Sequence, residues 1–243
     1  MGGMRARRTA AVVLLLAALP GGRGLAAGAT DETLVYRWRL EGLLGVVAGL
    51  FMPSDGEGRL TLVGLPGGNL RSELLITAGE EADGDFFRYG SEWEPETGTT
   101  VRAWSSQRWR GEPKSKQAEI GQTGVIDVAT AVHALRRDPP EGPRSFEIWS
   151  DGKLYPVVVL PRGIEPRRVD GRLVEARHFA VRPVERPDRR VWKGEMDLWL
   201  ATDEVATPIE IRVARSSASV RLELVERLPS AAPAGKTRKG DEP

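Results

Sequence analysis

The 243-residue chain contains no cysteine. That absence removes disulfides, thiolate metal sites, cysteine nucleophiles and an acylated lipoprotein cysteine together. Only two histidines are present, His133 and His178, which also excludes a histidine-rich metal centre. An excess of one charge sign is missing too. The first 29 residues hold four arginines and no acid, and the remainder carries 31 bases against 34 acids, a net charge of −3. The body therefore lacks the basic footprint of nucleic-acid binding, and no nucleic acid is expected as a partner. Nucleotide and serine-hydrolase motifs are absent as well. No Gly-x-Ser-x-Gly elbow occurs, Ser230 stands where a phosphate loop ending in Gly235-Lys236-Thr237 needs its leading glycine, and Gly56-Glu57-Gly58 runs on to Thr61 where a dinucleotide fingerprint needs a third glycine. No cofactor, metal or catalytic residue is expected on these grounds.

What remains is ordinary globular material, 40% hydrophobic and 28% charged, long enough for one large domain with a real core. Met1 to Arg8 is short and basic, Thr9 to Leu19 is apolar, and Pro20 with Gly21, Gly22 and Gly24 breaks any helix. Ala27-Gly28-Ala29 places small residues where a signal peptidase reads them, so residues 1–29 are expected to be a signal peptide cleaved before Thr30. An apolar stretch of about 11 residues is too short to anchor in a bilayer. No later segment reaches spanning length without a charge, so the mature protein is expected to be periplasmic or secreted and not membrane-spanning.

The body reads as strands joined by tight turns. Val35 to Val47 is a first extended segment, Pro53 to Gly58 a turn or loop, and Arg59 to Leu65 and Leu70 to Ala78 further strands. Asp151-Gly152 sits between two apolar runs and is a favoured two-residue hairpin turn, which opposes Ile148 to Tyr155 and Phe146 to Val157. Asp170-Gly171 repeats the device, joining Ile164–Val169 to Arg172–Val181. Met196 to Ala201, Ile209 to Val213 and Val220 to Leu224 alternate apolar and polar residues, the pattern of antiparallel strands with one buried face. Asp127 is placed to cap a short helix from Val128 to Arg136, ended by Pro139-Pro140. The expected fold is mainly β: a curved antiparallel sheet or open barrel of about ten strands with one short helix, a single domain over residues 30–228, and a disordered tail over 229–243.

The candidates for chemistry are few. Asp83 with Asp85, Asp127, and Asp203 with Glu204 are the carboxylates to consider for acid–base work or calcium. His133 and His178 each lack a visible orienting partner in sequence. Trp104 shares a strand face with Arg102, Ser106, Arg108 and Arg110, a pattern that fits either base or sugar stacking or arginine stems covering the ring.

Three segments carry a family pattern: Gly124–Gly142 (GVIDVATAVHALRRDPPEG), Phe146–Val159 (FEIWSDGKLYPVVV) and Met196–Ala214 (MDLWLATDEVATPIEIRVA), with Tyr36, Gly42 and Gly45 fitting more loosely. Together they resemble the bacterial domain of unknown function 3108. The resemblance implies an exported, barrel-type antiparallel sheet without an established activity. Its pattern falls here on Asp127, Arg136, Asp151, Gly152, Tyr155, Trp199 and Asp203. The expected function is a binding or carrier module for an apolar or lipid-like ligand, because the Asp151-Gly152 hairpin is apolar on one face and nearly so on the other. Phe146, Ile148, Tyr155, Val157 and Trp199 are the expected ligand-binding residues. The alternatives are a non-enzymatic protein docking on an envelope partner, and an enzyme acting on cell-wall sugars through Asp127 or Asp203.

Overall fold

The structure is a computed structural model that describes residues 31–41, 54–78, 84–215 and 218–229. The expected signal peptide and residues 230–243 of the expected tail lie outside them. Among the described residues, thirteen strands form one sheet and a single helix accompanies it.

The strands are β1 (Glu32–Glu41), β2 (Asp55–Gly64), β3 (Leu70–Ala78), β4 (Asp85–Glu94), β5 (Thr99–Trp109), β6 (Glu112–Thr123) and β7 (Val125–Ile126), then helix α1 (Val128–Arg137). After it come β8 (Arg144–Ser150), β9 (Lys153–Val169), β10 (Arg172–Pro183), β11 (Gly194–Ala201), β12 (Pro208–Arg215) and β13 (Ala218–Pro229). Their order in the sheet is β6-β5-β4-β3-β2-β1-β13-β12-β11-β10-β9-β8-β7. All neighbours are antiparallel except β7 with β8, where Val125 and Ile126 run parallel to Glu147 and Ile148. Since β7 follows β6 directly, that short pairing ties the two ends of the sheet into a nearly closed barrel. The expected architecture holds, with thirteen strands in place of about ten.

The Asp151-Gly152 register is as read: Ile148 opposes Tyr155 and Phe146 opposes Val157. Both turn residues have positive φ, 51° and 79°, and Asp170-Gly171 matches them at 46° and 79°, the geometry that keeps a two-residue hairpin in step with strand twist. Three expectations need correction. Pro53 to Gly58 is not a turn throughout, because β2 already begins at Asp55. Gly56 and Gly58 are strand residues whose missing side chains admit large neighbours: a Cβ on Gly56 would lie 2.6 Å from the indole nitrogen of Trp38, which donates to the Thr77 carbonyl at 2.8 Å. Second, the two hairpins share one strand, since β9 runs unbroken through Pro161 and Pro166, with an irregularity opposite His178 and Phe179. Third, Pro229 closes β13 instead of opening the tail. The first expected segment is β1 as far as Glu41, and its continuation to Val47 lies outside the described residues.

The main core lies inside the curve. Leu34, Tyr36, Leu60, Leu74, Ile148, Val157, Val159, Phe179, Val181, Met196, Leu198, Ile211 and Leu222 are buried there together with Ala129, Val132 and Leu135 of α1.

Candidate binding site

Helix α1 packs against β3, β4 and β7, and its C-terminal end reaches the start of β1. A helix lying on a surface buries one stripe. Here five consecutive residues, Ala129 to His133, are buried, as is Leu135. At 100° per residue they sweep the whole circumference, so the helix is enclosed by protein and does not merely rest on it. Its small residues make this possible: Ala129 and Ala131 let the backbone approach β3 and β4 closely.

Both ends of α1 are held by buried polar groups. At the N-terminus, Asp127 caps the helix, accepting from the Ala129 and Thr130 amides at 2.7 and 3.4 Å. Its other oxygen accepts from the Thr130 hydroxyl at 2.8 Å and from Ser91 of β4, whose hydroxyl also meets that of Thr130. Burial raises the Asp127 carboxyl above its ordinary range, against the lowering pull of these hydrogen bonds. At the C-terminus, Arg136 donates to Glu32 of β1 at 2.6 Å and to the Val205 carbonyl at 3.2 Å. Glu32 is shared with Arg227 of β13 at 2.8 Å. The Tyr36 hydroxyl, fully buried nearby, donates to the Pro208 carbonyl at 2.8 Å, and burial pushes its pKa well above the usual phenol range.

Four of the five expected ligand residues come together on this inner side. Ile148 and Val157 are buried, and Phe146 and Tyr155 pack partly buried against the same core as α1. Trp199 does not join them. It belongs to a separate cluster on the opposite face of the sheet with Ala176, Ala201 and Ile209. There it stacks on His178 at 4.4 Å, carries the Arg167 guanidinium 4.1 Å above its ring, and donates to Glu165. Neighbouring residues along a strand point to opposite faces, so with Leu198 and Leu200 inside, Trp199 lies outside.

The other family-pattern residues have local duties. Asp151 and Gly152 form the hairpin turn, and Asp203 accepts from the Thr207 amide and hydroxyl at 2.9 and 2.7 Å in the β11–β12 turn. Asp85 accepts from the Arg110 amide at 2.7 Å, whereas Asp83 is outside the described residues. No cluster of three or more His, Asp or Glu placed to hold a metal occurs among the described residues. Both histidines have surroundings that sequence could not show. His178 bonds Asp197 at 2.9 Å, and His133 sits one helical turn before Arg136, with its Nδ1 3.5 Å from the guanidinium. The guanidinium carbons of Arg71 and Arg102 lie 5.9 and 5.8 Å from the Trp104 ring, whose indole donates to Glu73 at 3.2 Å.

Two surface depressions are polar. One of about 340 Å³ on the outer face is lined by Arg37, Arg167, Arg168, Glu210, Arg221 and Glu223 among others. Another of about 260 Å³ lies beside Trp104, between Arg71 and Arg102. An apolar ligand fits neither lining. The apolar volume is the barrel interior, which the protein's own side chains and α1 fill in this structure.

No family model matches the chain, and no curated protein matches it. Among the described residues, no helix is long and apolar enough to cross a membrane. Solved structures do match. The β-barrel-like protein of domain of unknown function 1849 from Brucella abortus aligns over 85% of this chain and 100% of its own at 9% identity, with a TM-score of 0.55. Looser likenesses, with TM-scores of 0.33 and 0.30, are the hypothetical lipoprotein YmcC from Escherichia coli (10% identity, 82% and 87% coverage) and the lipoprotein LppX from Mycobacterium tuberculosis (12% identity, 81% and 86% coverage). At these identities, the Brucella likeness shows a shared barrel-like fold.

Proposed function

We propose that the chain is an exported binding or carrier module whose barrel interior takes an apolar, lipid-like ligand when α1 withdraws from the barrel mouth. The observation that carries this reading is the nature of the stopper. The interior lining is apolar, yet the helix that fills the mouth is fastened by buried polar contacts at both ends, Asp127 with Ser91 and Thr130, and Arg136 with Glu32. Such contacts release as units, and their groups find water when the helix moves out. A ten-residue helix is about 15 Å long and about 10 Å across, so its withdrawal frees about 1,200 Å³. That accommodates the roughly 300–1,000 Å³ of a small-ligand site. The resemblance to the domain of unknown function 3108 and the signal-like residues 1–29 support export to the periplasm.

Native mass spectrometry tests this directly. The full chain is expressed in a bacterium and purified gently from the periplasm. A reproducible extra mass, lost on denaturation, is expected. A bare polypeptide mass that persists after incubation with lipid mixtures refutes the carrier reading. Docking on an envelope protein is the second reading, favoured by β6, which among the described residues pairs in the sheet only with β5. Pro113, Lys114 and Lys116 on that strand are the residues that blunt edge pairing, which ranks it below the first.

A further inference from the structure

Trp104 stands on β5 with its side chain on the face of the sheet away from buried Ala103 and Ser105. Register puts Glu73, Gly90, Trp104 and Gln117 in one row across β3, β4, β5 and β6. A Cβ on Gly90 would lie 2.7 and 2.8 Å from two carbons of the Trp104 ring, so the indole occupies the space above that glycine. Its N–H reaches Glu73, two strands away, at 3.2 Å. An indole that starts on β5, rests on β4 and reaches β3 lies along the sheet and does not stand upright on it. One ring face meets the β4 backbone, and the other is turned outward to the depression of about 260 Å³ that Trp104 helps to line.

The neighbouring row, Arg71, Glu92, Arg102 and Glu119, alternates in charge. Glu92 accepts from both arginines at 2.6 Å, which fixes them on either side of the ring. Their guanidinium carbons lie 5.9 and 5.8 Å from the ring, well beyond the 4.1 Å at which Arg167 covers Trp199, so they flank the indole. Arg88 pairs with Glu73 at 3.4 Å on the far side. Three arginines thus meet three glutamates, Glu73, Glu92 and Glu119, and these charges cancel.

We propose that this depression is a carbohydrate-binding site, taking a neutral hexopyranose unit stacked on Trp104. The C–H face of a pyranose is apolar and faintly positive, which suits the negative face of an indole. Its hydroxyls are donors and acceptors at once, and the rim offers both: the guanidinium N–H groups of Arg71 and Arg102, the carboxylates of Glu73 and Glu119, and the Gln117 amide. A nucleic acid would also stack a base here, but its phosphates need the surplus positive charge that this rim lacks. An acyl chain would leave the rim groups without partners. The site stands on the outward side of the sheet and is separate from the barrel interior.

The test is an NMR titration of the nitrogen-labelled protein, purified from the periplasm, with chitohexaose, a neutral chain of flat-faced pyranoses. The Trp104 indole N–H and the amides of Ala103 and Ala118, which line the depression, are expected to shift and saturate. Trp104→Ala should weaken binding about tenfold or more, the loss of one aromatic stack. Trp104→Tyr keeps a ring over Gly90 and should retain most of the affinity, which separates a lost platform from a disturbed sheet. Oligothymidylate should leave these signals unmoved. If chitohexaose causes no shift at its solubility limit, if its affinity is unchanged in Trp104→Ala, or if oligothymidylate binds and the sugar does not, the carbohydrate assignment fails while binding in the barrel interior stands untouched.

Discussion

The buried imidazole of His133 makes the stability of this protein depend on pH in a calculable way. Its pKa is about 3 in the folded chain and about 6.5 once unfolded. Between those values the unfolded state holds a proton that the folded state refuses. Stability therefore rises with pH through this window and falls as the solution is acidified. From about pH 7.5 to about pH 5, this one group removes about 2 kcal/mol. For a domain of this size that is roughly 4–8 °C of melting temperature. Asp127 works in the opposite sense. Its carboxyl is raised in the folded chain, so its contribution is fully present below the unfolded carboxylate range and is lost as pH rises through the folded value. Comparing wild type with His133→Leu cancels Asp127 and every other titrating group, because only His133 differs. The assay is urea unfolding of both proteins at the two pH values. The wild type should lose about 2 kcal/mol more than the variant on acidification. Removing the His133 Nε2, which meets no hydrogen-bonding group among the described residues, also shifts the variant's absolute stability by about 1–3 kcal/mol, so the pH slope is the readout and the offset is not. Equal slopes in the two proteins would refute the placement of a neutral, desolvated imidazole at the helix–barrel junction.

Three further outcomes are expected. Asp127→Ala removes a helix cap and leaves Ser91 and Thr130 without their shared acceptor, so it should cost about 2–4 kcal/mol; hydrogen exchange should show the α1 amides opening before the strands. Gly56→Ala forces a methyl group against the Thr77 backbone carbonyl and the Trp38 indole and should destabilise by about 1–3 kcal/mol in a melting assay, with a change in near-ultraviolet circular dichroism. Trp199→Phe lies on the outer face and should leave apolar-dye binding within about twofold of wild type, whereas a loss of binding would place Trp199 in the site after all.

Most of the fold was legible because its signals are local. Asp-Gly between apolar runs specifies a hairpin register by itself, and the Asp127 cap followed by small residues specifies the helix. The unread parts depend on contacts distant in sequence. Arg110-Gly111 turns β5 into β6 with φ of 52° and 78°, the same geometry as Asp151-Gly152, but arginine is not a residue that announces positive φ. The edge strand β6 carries lysines, glycine and polar residues because it is exposed, so no alternation marks it. Gly56 and Gly58 resemble turn residues until Trp38 is seen lying over the first and Leu222 and Tyr36 over the second. The site followed the same rule. Phe146, Ile148, Tyr155 and Val157 were visible as an apolar face. Glu32 and Ser91 were not, since each is defined by a partner on another element, and His133 was not, since its burial is set by packing between elements. Only the three-residue spacing of His133 and Arg136 on a helix hinted at their contact.

The polar fastening of α1 is also open to direct replacement. Exchanging a buried ion pair for apolar side chains of similar size is often neutral or stabilising, because the charges no longer have to be desolvated. Glu32, His133 and Arg136 form such a group, and the triple substitution Glu32→Leu, His133→Leu, Arg136→Met keeps its volume while removing its buried charges and the unpartnered donor, leaving the half-exposed Arg227, which also bonds Glu32, to solvent. If α1 were a permanent part of the core, the variant would simply be a well-packed barrel with unchanged behaviour. If α1 must leave the mouth, the apolar seal favours the closed state, and uptake of an apolar dye should fall by about tenfold for each 1.4 kcal/mol of added closure. The expected result is thus a variant at least as stable as wild type toward urea yet impaired in dye binding, the trade of function for stability seen where activity needs a mobile element. A variant that is both stable and fully competent to bind would show that the polar contacts serve only to position the helix, and that any ligand reaches the barrel by another way.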